Sequence, residues 1–184
     1  MDRVVIVEYA PRWSELFAQE AKNLRDLFGS KLLSRIEHIG STSIVGMPAK
    51  PIIAMLIAIL SFDRAKQEIV PKLVDKGYVY LWRSDRPPGH MMFIQGLPPQ
   101  YPRTHHLHFA PQGHKLWERL YFRDYLRNHP DEANKYAQLK RELAAKFSTD
   151  REAYTNSKSD YVSKITVLAR SASLHRSARS QTTN

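Results

Sequence analysis

The segment "KPIIAMLIAIL", residues 50–60, constrains this chain more than any other. From Pro51 to Leu60 no side chain is polar or charged, so neither face of an extended strand there can meet water. The run is also far short of the roughly 20 apolar residues that a membrane-spanning helix needs. It predicts an interior strand covered on both sides. Such a strand demands helices on both faces of its sheet, which sets the fold class as α/β (α+β).

The flanking sequence supplies those partners. "VVIVEY" (4–9) is β-branched and reads as a first strand. In "APRWSELFAQEAKNLRDLFGS", Trp13, Leu16, Phe17, Leu24, Leu27 and Phe28 recur at helical spacing, and Gly29 stands where a C-terminal cap belongs. "LLSRIEHIG" reads as a strand ending at Gly40, and "SFDRAKQEIVPKLVDKGY" as a helix from Ser61 to Gly77 with Pro71 as a point of kinking. "YVYLWR" and "HMMFIQG" make two strands joined by "SDRPPG", and "YPRTHHLHFAP" makes another. From Gly113 the pattern is helical. Leu116, Trp117, Leu120, Tyr121 and Leu126 form one stripe, and Pro130 opens the next helix, which packs through Tyr136, Leu139, Leu143 and Phe147. Thr149 and Glu152 have capping-box spacing, so a last helix starts there with the stripe Tyr154, Tyr161, Ile165 and Leu168. Residues 1–170 form a single domain with a mixed sheet and a helical C-terminal third. Residues 171–184, rich in Ser and Arg, are expected to be a disordered basic tail.

The chain has no cysteine, which excludes disulfides, thiolate nucleophiles and Cys-type zinc sites. With no secretory pattern at "MDRVVIVEYAPRW" and no membrane-length run, it reads as cytoplasmic. A net charge of +10 favours anionic partners: a nucleotide, a phosphorylated metabolite or nucleic acid. Arg170, Arg176 and Arg179 supply part of that excess, and the rest is spread over helices.

Three groups of residues carry chemistry. Gly40-Ser41-Thr42 follows a strand; glycine lets a phosphate approach the backbone, and hydroxyl and N–H groups then donate to it. An ordinary capped turn gives the same triplet. Lys50, held extended by Pro51, stands at the mouth of the buried strand, where it can neutralise phosphate or simply snorkel to solvent. Period-two alternation puts His106 and His108 on one face of their strand, and His105 with Leu107 on the other. Imidazoles at i and i+2 can share a metal or contact a phosphate, or make a polar face near solvent. A zinc site would need a further ligand that the sequence does not identify. Arg123 and Asp124 suit an ion pair, and Lys158 follows Tyr154 by one helical turn.

Taken together, "YAPRWSELFAQEAKNL", "IEHIGSTSIVGMPAKPII", "RTHHLHF", "WERLYFRDYLRNHP" and "YAQLKRELAAKFSTDREAYTNSKSDYV" resemble the GrpB family over residues 8–165. The family has a nucleotidyltransferase-like fold, and related modules occur behind dephospho-CoA kinase. The resemblance implies that Gly40, Ser41 and Thr42 face phosphate and that Lys50, His106, His108, Arg123 and Lys158 line a cleft. It also implies a divalent-cation site on the next strand, where carboxylates at i and i+2 share the metals. GrpB-type sequences typically read Lys-Pro-Ile-Ile-Asp there. This chain has Ala54 in the aspartate position and Leu56 two residues on. A methyl group cannot hold magnesium, so the Mg2+ expected of the family is in doubt here. The expectation is a nucleotidyltransferase-like protein that binds a nucleotide or phosphorylated metabolite, with transfer chemistry degenerate at Ala54. The alternatives are an active transferase that uses His106 and His108 for metal or phosphate, and a basic nucleic-acid-binding adaptor.

Overall fold

A computed structural model describes residues 3–81, 89–98 and 100–181, with the backbone alone for 174–181. The elements are α1 (Arg12–Phe28), β1 (Leu33–Ile39), β2 (Ile53–Ile59), α2 (Phe62–Asp75), β3 (Tyr78–Tyr80), β4 (Met91–Gln95), β5 (His105–Pro111), α3 (Arg119–Asn128), α4 (Pro130–Lys146), α5 (Arg151–Asn156) and α6 (Ser159–Gln181). A 3-10 turn, Ser41–Ser43, lies between β1 and β2. The five strands form one mixed sheet in the order β1-β2-β5-β4-β3. Among the described residues only the β2–β5 pair is parallel. The apolar run is therefore an interior strand, with the middle position taken by β5.

Register assigns each face. Met55 pairs with Leu107, and Ile57 with Phe109. With Phe93 and Met91 they meet Trp13, Leu24 and Phe28 of α1 and Ala65, Ile69 and Leu73 of α2 in one apolar core. Alternation turns Ala54, Leu56, His106 and His108 to the opposite face, which α3–α6 cover. The smaller cluster on that side joins Ile44 and Met47 to Leu126, Tyr136, Ala137 and Ile165.

Several expectations change. Residues 4–9 do not form a strand: they make a single bridge, with Val7 and Ala49 exchanging backbone hydrogen bonds at 2.9 Å each. Pro48 and Pro51 flank Ala49 and lack the N–H groups that a longer ladder needs. The expected capping box gives way to Asp150, whose carboxylate accepts from the Ala153 N–H. The last helix is two: α5 ends at Asn156 and α6 begins at Ser159. Along α6 Ala169 is buried while Leu168 stays 47% exposed, so the apolar stripe shifts by one residue. The expected tail continues α6 as far as Gln181, because "SASLHRSARSQ" has no Pro or Gly to stop a helix already running. The turn expected between β3 and β4 falls mostly on residues 82–88, outside the described residues.

Candidate functional site

The site begins with backbone geometry at Gly40. Its φ of 75° is one that side-chain-bearing residues rarely adopt, and a Cβ built there would lie 3.5 Å from the Ala54 Cβ. The turn therefore sits directly on the position where the family resemblance places a carboxylate. Ala54 pairs with Ile39 on one side and with His106 on the other.

Three lysines gather about the rings of Tyr154 and Tyr136. Lys50, just before β2, places its ammonium 4.8 Å from the centre of the Tyr154 ring, and Lys158 lies 4.0 Å from the same ring. The Lys158 charge acts in turn on Lys140 of α4. Lys140 is only 2% exposed; its ammonium donates to the Pro48 carbonyl and lies 4.9 Å from the Tyr136 ring. Ser41 stands beside Tyr136, where its hydroxyl opposes the burial that raises the tyrosine. Gly40, Ala54 and His106 thus adjoin one another at the ends of β1, β2 and β5, and Lys50 and Lys158 share the Tyr154 ring.

The protonation states follow from burial among like charges. Burial, then the charges of Arg151, Arg103, Lys50 and Arg119, push His106 down to about 3, so it is neutral at pH 7. Its Nε2 is buried without a hydrogen-bond partner. Burial first, then Lys158 and Arg141, lower Lys140 to about 7. Burial and Arg151 lower Lys158 to about 8. Burial raises the Tyr136 hydroxyl to about 12 and the Tyr154 hydroxyl further. Each charge acting on His106, Lys140 and Lys158 is positive. That arrangement carries an electrostatic cost that a bound anion relieves.

Three expected site residues serve other ends. Thr42, 3% exposed, donates to the Ile52 carbonyl at 3.2 Å and contacts His38 Nε2 at 3.0 Å, which fixes the turn against β1. Arg123 donates to Glu37 Oε2 at 2.6 Å, to the His38 carbonyl at 2.9 Å and to Asp124 Oδ1 at 2.7 Å. It pins α3 to β1 rather than lining the cleft. His108 contacts His90 Nε2 at 3.1 Å and Arg119 at 3.4 Å, at the flank of the cluster. Arg119 faces both His106 and His108, and a guanidinium there disfavours a cation between them. Among the described residues no group of three or more His, Asp or Glu side chains is placed to hold a metal. With Ala54 and Leu56 on β2, the residues present do not fit the two-cation site that the family implies.

The sequence reading missed Lys140, Tyr136, Arg151 and Arg103. Lys140 sits among apolar stripe positions of α4, one residue after Leu139 and three before Leu143, and that placement was its only sequence signal. Cavity size would also have pointed elsewhere. A volume of ≈ 740 Å³ lies beside Trp117 and Tyr121, and an apolar one of ≈ 800 Å³ beside Trp13 and Leu97. Neither is lined by Ser41, Lys50, His106 or Lys158.

Comparison with known proteins agrees with this architecture. Residues 3–167 match the profile of the GrpB protein family. The chain is 40% identical over 175 residues to UPF0157 protein PA4798 of Pseudomonas aeruginosa, covering 95% of this chain and 71% of that protein. It is 38% identical to UPF0157 protein YqkA of Bacillus subtilis, covering 87% of this chain and 45% of that one. Glutamate-rich protein GrpB of Alkalihalophilus pseudofirmus is 32% identical, with 88% and 93% covered. The crystal structure of conserved protein GrpB from Enterococcus faecalis superposes with a TM-score of 0.81 at 30% identity, over 90% of this chain and 96% of that one. A sheet of this topology with a match running through both of its faces leaves one conclusion: the chain belongs to the GrpB family.

Proposed function

We propose that this protein binds a nucleotide or phosphorylated small molecule in the cleft at Gly40, Ser41 and Ala54, as a nucleotidyltransferase-like member whose metal-dependent transfer is degenerate. The observation that carries the reading is the buried Lys140 beside the half-buried Lys158, which shares the Tyr154 ring with Lys50, the charges acting on Lys140 and Lys158 being positive. Buried cations are retained where an anion is to be held. The phosphate takes charge from Lys50 and Lys158, a hydroxyl donor from Ser41, and a donor or acceptor from the unpartnered His106 ring. The two tyrosine rings stabilise the ammonium groups when the anion leaves. In this reading Ala54 makes binding independent of magnesium, because magnesium needs at least one carboxylate beside the substrate phosphates.

Isothermal titration of ATP, GTP and inorganic pyrophosphate, each with magnesium and with chelator, tests it. Binding equal under both conditions is expected for at least one ligand. Lys50→Met should weaken it at least tenfold, and Ser41→Ala by about 1 kcal/mol, the worth of one ordinary hydrogen bond. Wild-type affinity in Lys50→Met, or strict magnesium dependence in the natural protein, would reject the assignment. The adaptor alternative makes a different forecast: affinity for RNA or DNA that falls steeply with salt and is indifferent to Ser41.

A further inference from the structure

The face of the sheet turned away from Ala54 and His106 has a cavity of its own. It measures ≈ 800 Å³ and lies beside Trp13, with Leu16, Leu97 and Tyr101 in its lining, all three exposed. Three polar side chains meet in its wall: Gln95, Thr104 and His105. We propose that this cavity binds a small, uncharged, flat molecule with an amide edge, an N–H beside a C=O. The inference goes beyond the phosphate-binding reading above and does not depend on it.

Gln95 of β4 pairs directly with His105 of β5, so the two side chains stand next to each other on one face. Thr104 joins them: its hydroxyl donates to Gln95 Oε1 at 3.2 Å and lies 3.0 Å from His105 Nδ1. A hydroxyl has one proton, so Nδ1 is the donor in the second bond. That fixes the tautomer. His105 Nε2 carries a lone pair, and it is buried without a hydrogen-bond partner. The Gln95 oxygen is taken by Thr104, which leaves the amide N–H groups to donate. The wall thus offers a donor and an acceptor side by side, the complement of an N–H beside a C=O. Charge argues against ionic ligands. Among the described residues no Asp or Glu lines the cavity, so a cation has no partner there. The Glu20 charge acts on His105, which opposes an anion beside the ring, and the one charged lining residue, Arg12, is exposed to solvent. His105 is 9% exposed, so a ligand reaches Nε2 by turning the exposed rim side chains outward. The volume is that of sites for drug-sized molecules, and Trp13 and Tyr101 suit a flat one.

The test titrates the full chain calorimetrically with two probes of one shape, 2-quinolone and 1-methyl-2-quinolone, which lacks the N–H. One molecule of 2-quinolone should bind per chain and shift the Gln95 side-chain amide signals in NMR spectra. The methylated probe should bind about tenfold more weakly, because it leaves His105 Nε2 unpaired. His105→Leu removes the acceptor and should bring the two probes within about twofold of each other. Leu16→Glu, a change at an exposed position, should weaken both about tenfold with the thermal unfolding temperature unchanged, since it sets a charge at the apolar rim. Saturating pyrophosphate should not displace 2-quinolone. Equal affinity for the two probes in the natural protein would overturn the proposal. So would discrimination that survives His105→Leu, full affinity in Leu16→Glu, or displacement by pyrophosphate.

Discussion

On the α1/α2 side of the sheet, Met55, Ile57, Leu107 and Phe109 meet Trp13, Leu24 and Ile69, and the chief polar contact is Tyr78 donating to Glu20 at 2.6 Å. On the other side the same two strands present Ala54, His106 and His108 to helices bearing Lys140 and Lys158. One face is filled as an organic solid is, and its residues answer to volume and shape. The other carries charged side chains, among them Arg123, which braces α3 to β1, and Lys140, which donates to the Pro48 carbonyl. Since β2 and β5 serve both, a one-residue change of register would exchange the two environments, so the apolar face also fixes where the cleft residues point.

The comparison breaks most plainly if the apolar face proves tolerant. Phe93 is fully buried, with Tyr80 at 4.9 Å and Phe109 at 5.6 Å between ring centres. Phe93→Ala should cost about 4 kcal/mol of unfolding free energy by urea denaturation, the usual price of a large buried aromatic. A loss under about 1 kcal/mol would mean that this face is not the stabilising core.

Next in size is the seam where α3 meets β1. Arg123→Met should cost about 3 kcal/mol, because the side chain is 9% exposed and Glu37 and the His38 carbonyl lose their donor. Burial alone would raise the Glu37 carboxyl. Hydrogen bonds from Arg123 and Arg35 outweigh it and hold Glu37 below its ordinary value of 4.5. A carboxyl lowered on folding gives stability that is complete above that ordinary value and lost as pH falls through the folded one. Denaturation from pH 6 to 3 should therefore show an acid limb in the natural protein that is shallower in Arg123→Met.

How much of this was legible in the sequence differs between the faces for the same physical reason. Trp13, Leu24, Phe28 and the run from Pro51 declare themselves by periodicity, since burial of apolar area leaves a regular trace. Gly40 and Ser41 stand out in the sequence by residue type, as a turn ending a strand, and that turn lies against Ala54. Arg123 and Thr42 carry the same types and proved to be braces, because hydrogen-bonding capacity does not say where it is spent. Lys140 was invisible: within a helical stripe a lysine reads as solvated, and only the tertiary position of α4 shows it enclosed.

A smaller effect sharpens the electrostatic half of the contrast. Ala54→Asp puts a carboxylate beside Gly40 and His106, amid the charges of Arg151, Arg103, Lys50 and Arg119. The new charge should raise the His106 value, readable from imidazole proton shifts in NMR titration. It should also weaken chelator-treated nucleotide binding about tenfold, or ~1.4 kcal/mol, with recovery on adding magnesium. Equal responses to magnesium in both variants would remove position 54 from the site.

The smallest effect concerns Lys140, where sign decides the matter. Burial and the Lys158 and Arg141 charges bring its folded value to about 7 from the ordinary 10.5. Between those values the unfolded chain binds more protons than the folded one, so stability rises with pH across that window. The burden of the buried charge is full below about 7 and fades as pH approaches the ordinary lysine value. Lys140→Met removes the titrating group and keeps most of the side-chain volume against Tyr136. It should leave the protein equal or more stable at pH 6.5, by about 1 kcal/mol, since a buried charge is commonly worth less than a packed apolar chain. The advantage should shrink by pH 9.5. A brace like Arg123 would show the reverse, a loss at every pH. Chemical denaturation of both proteins at pH 6.5, 8 and 9.5 separates the outcomes, and a Lys140→Met variant weaker throughout would place Lys140 with the structural cations of the β1 seam.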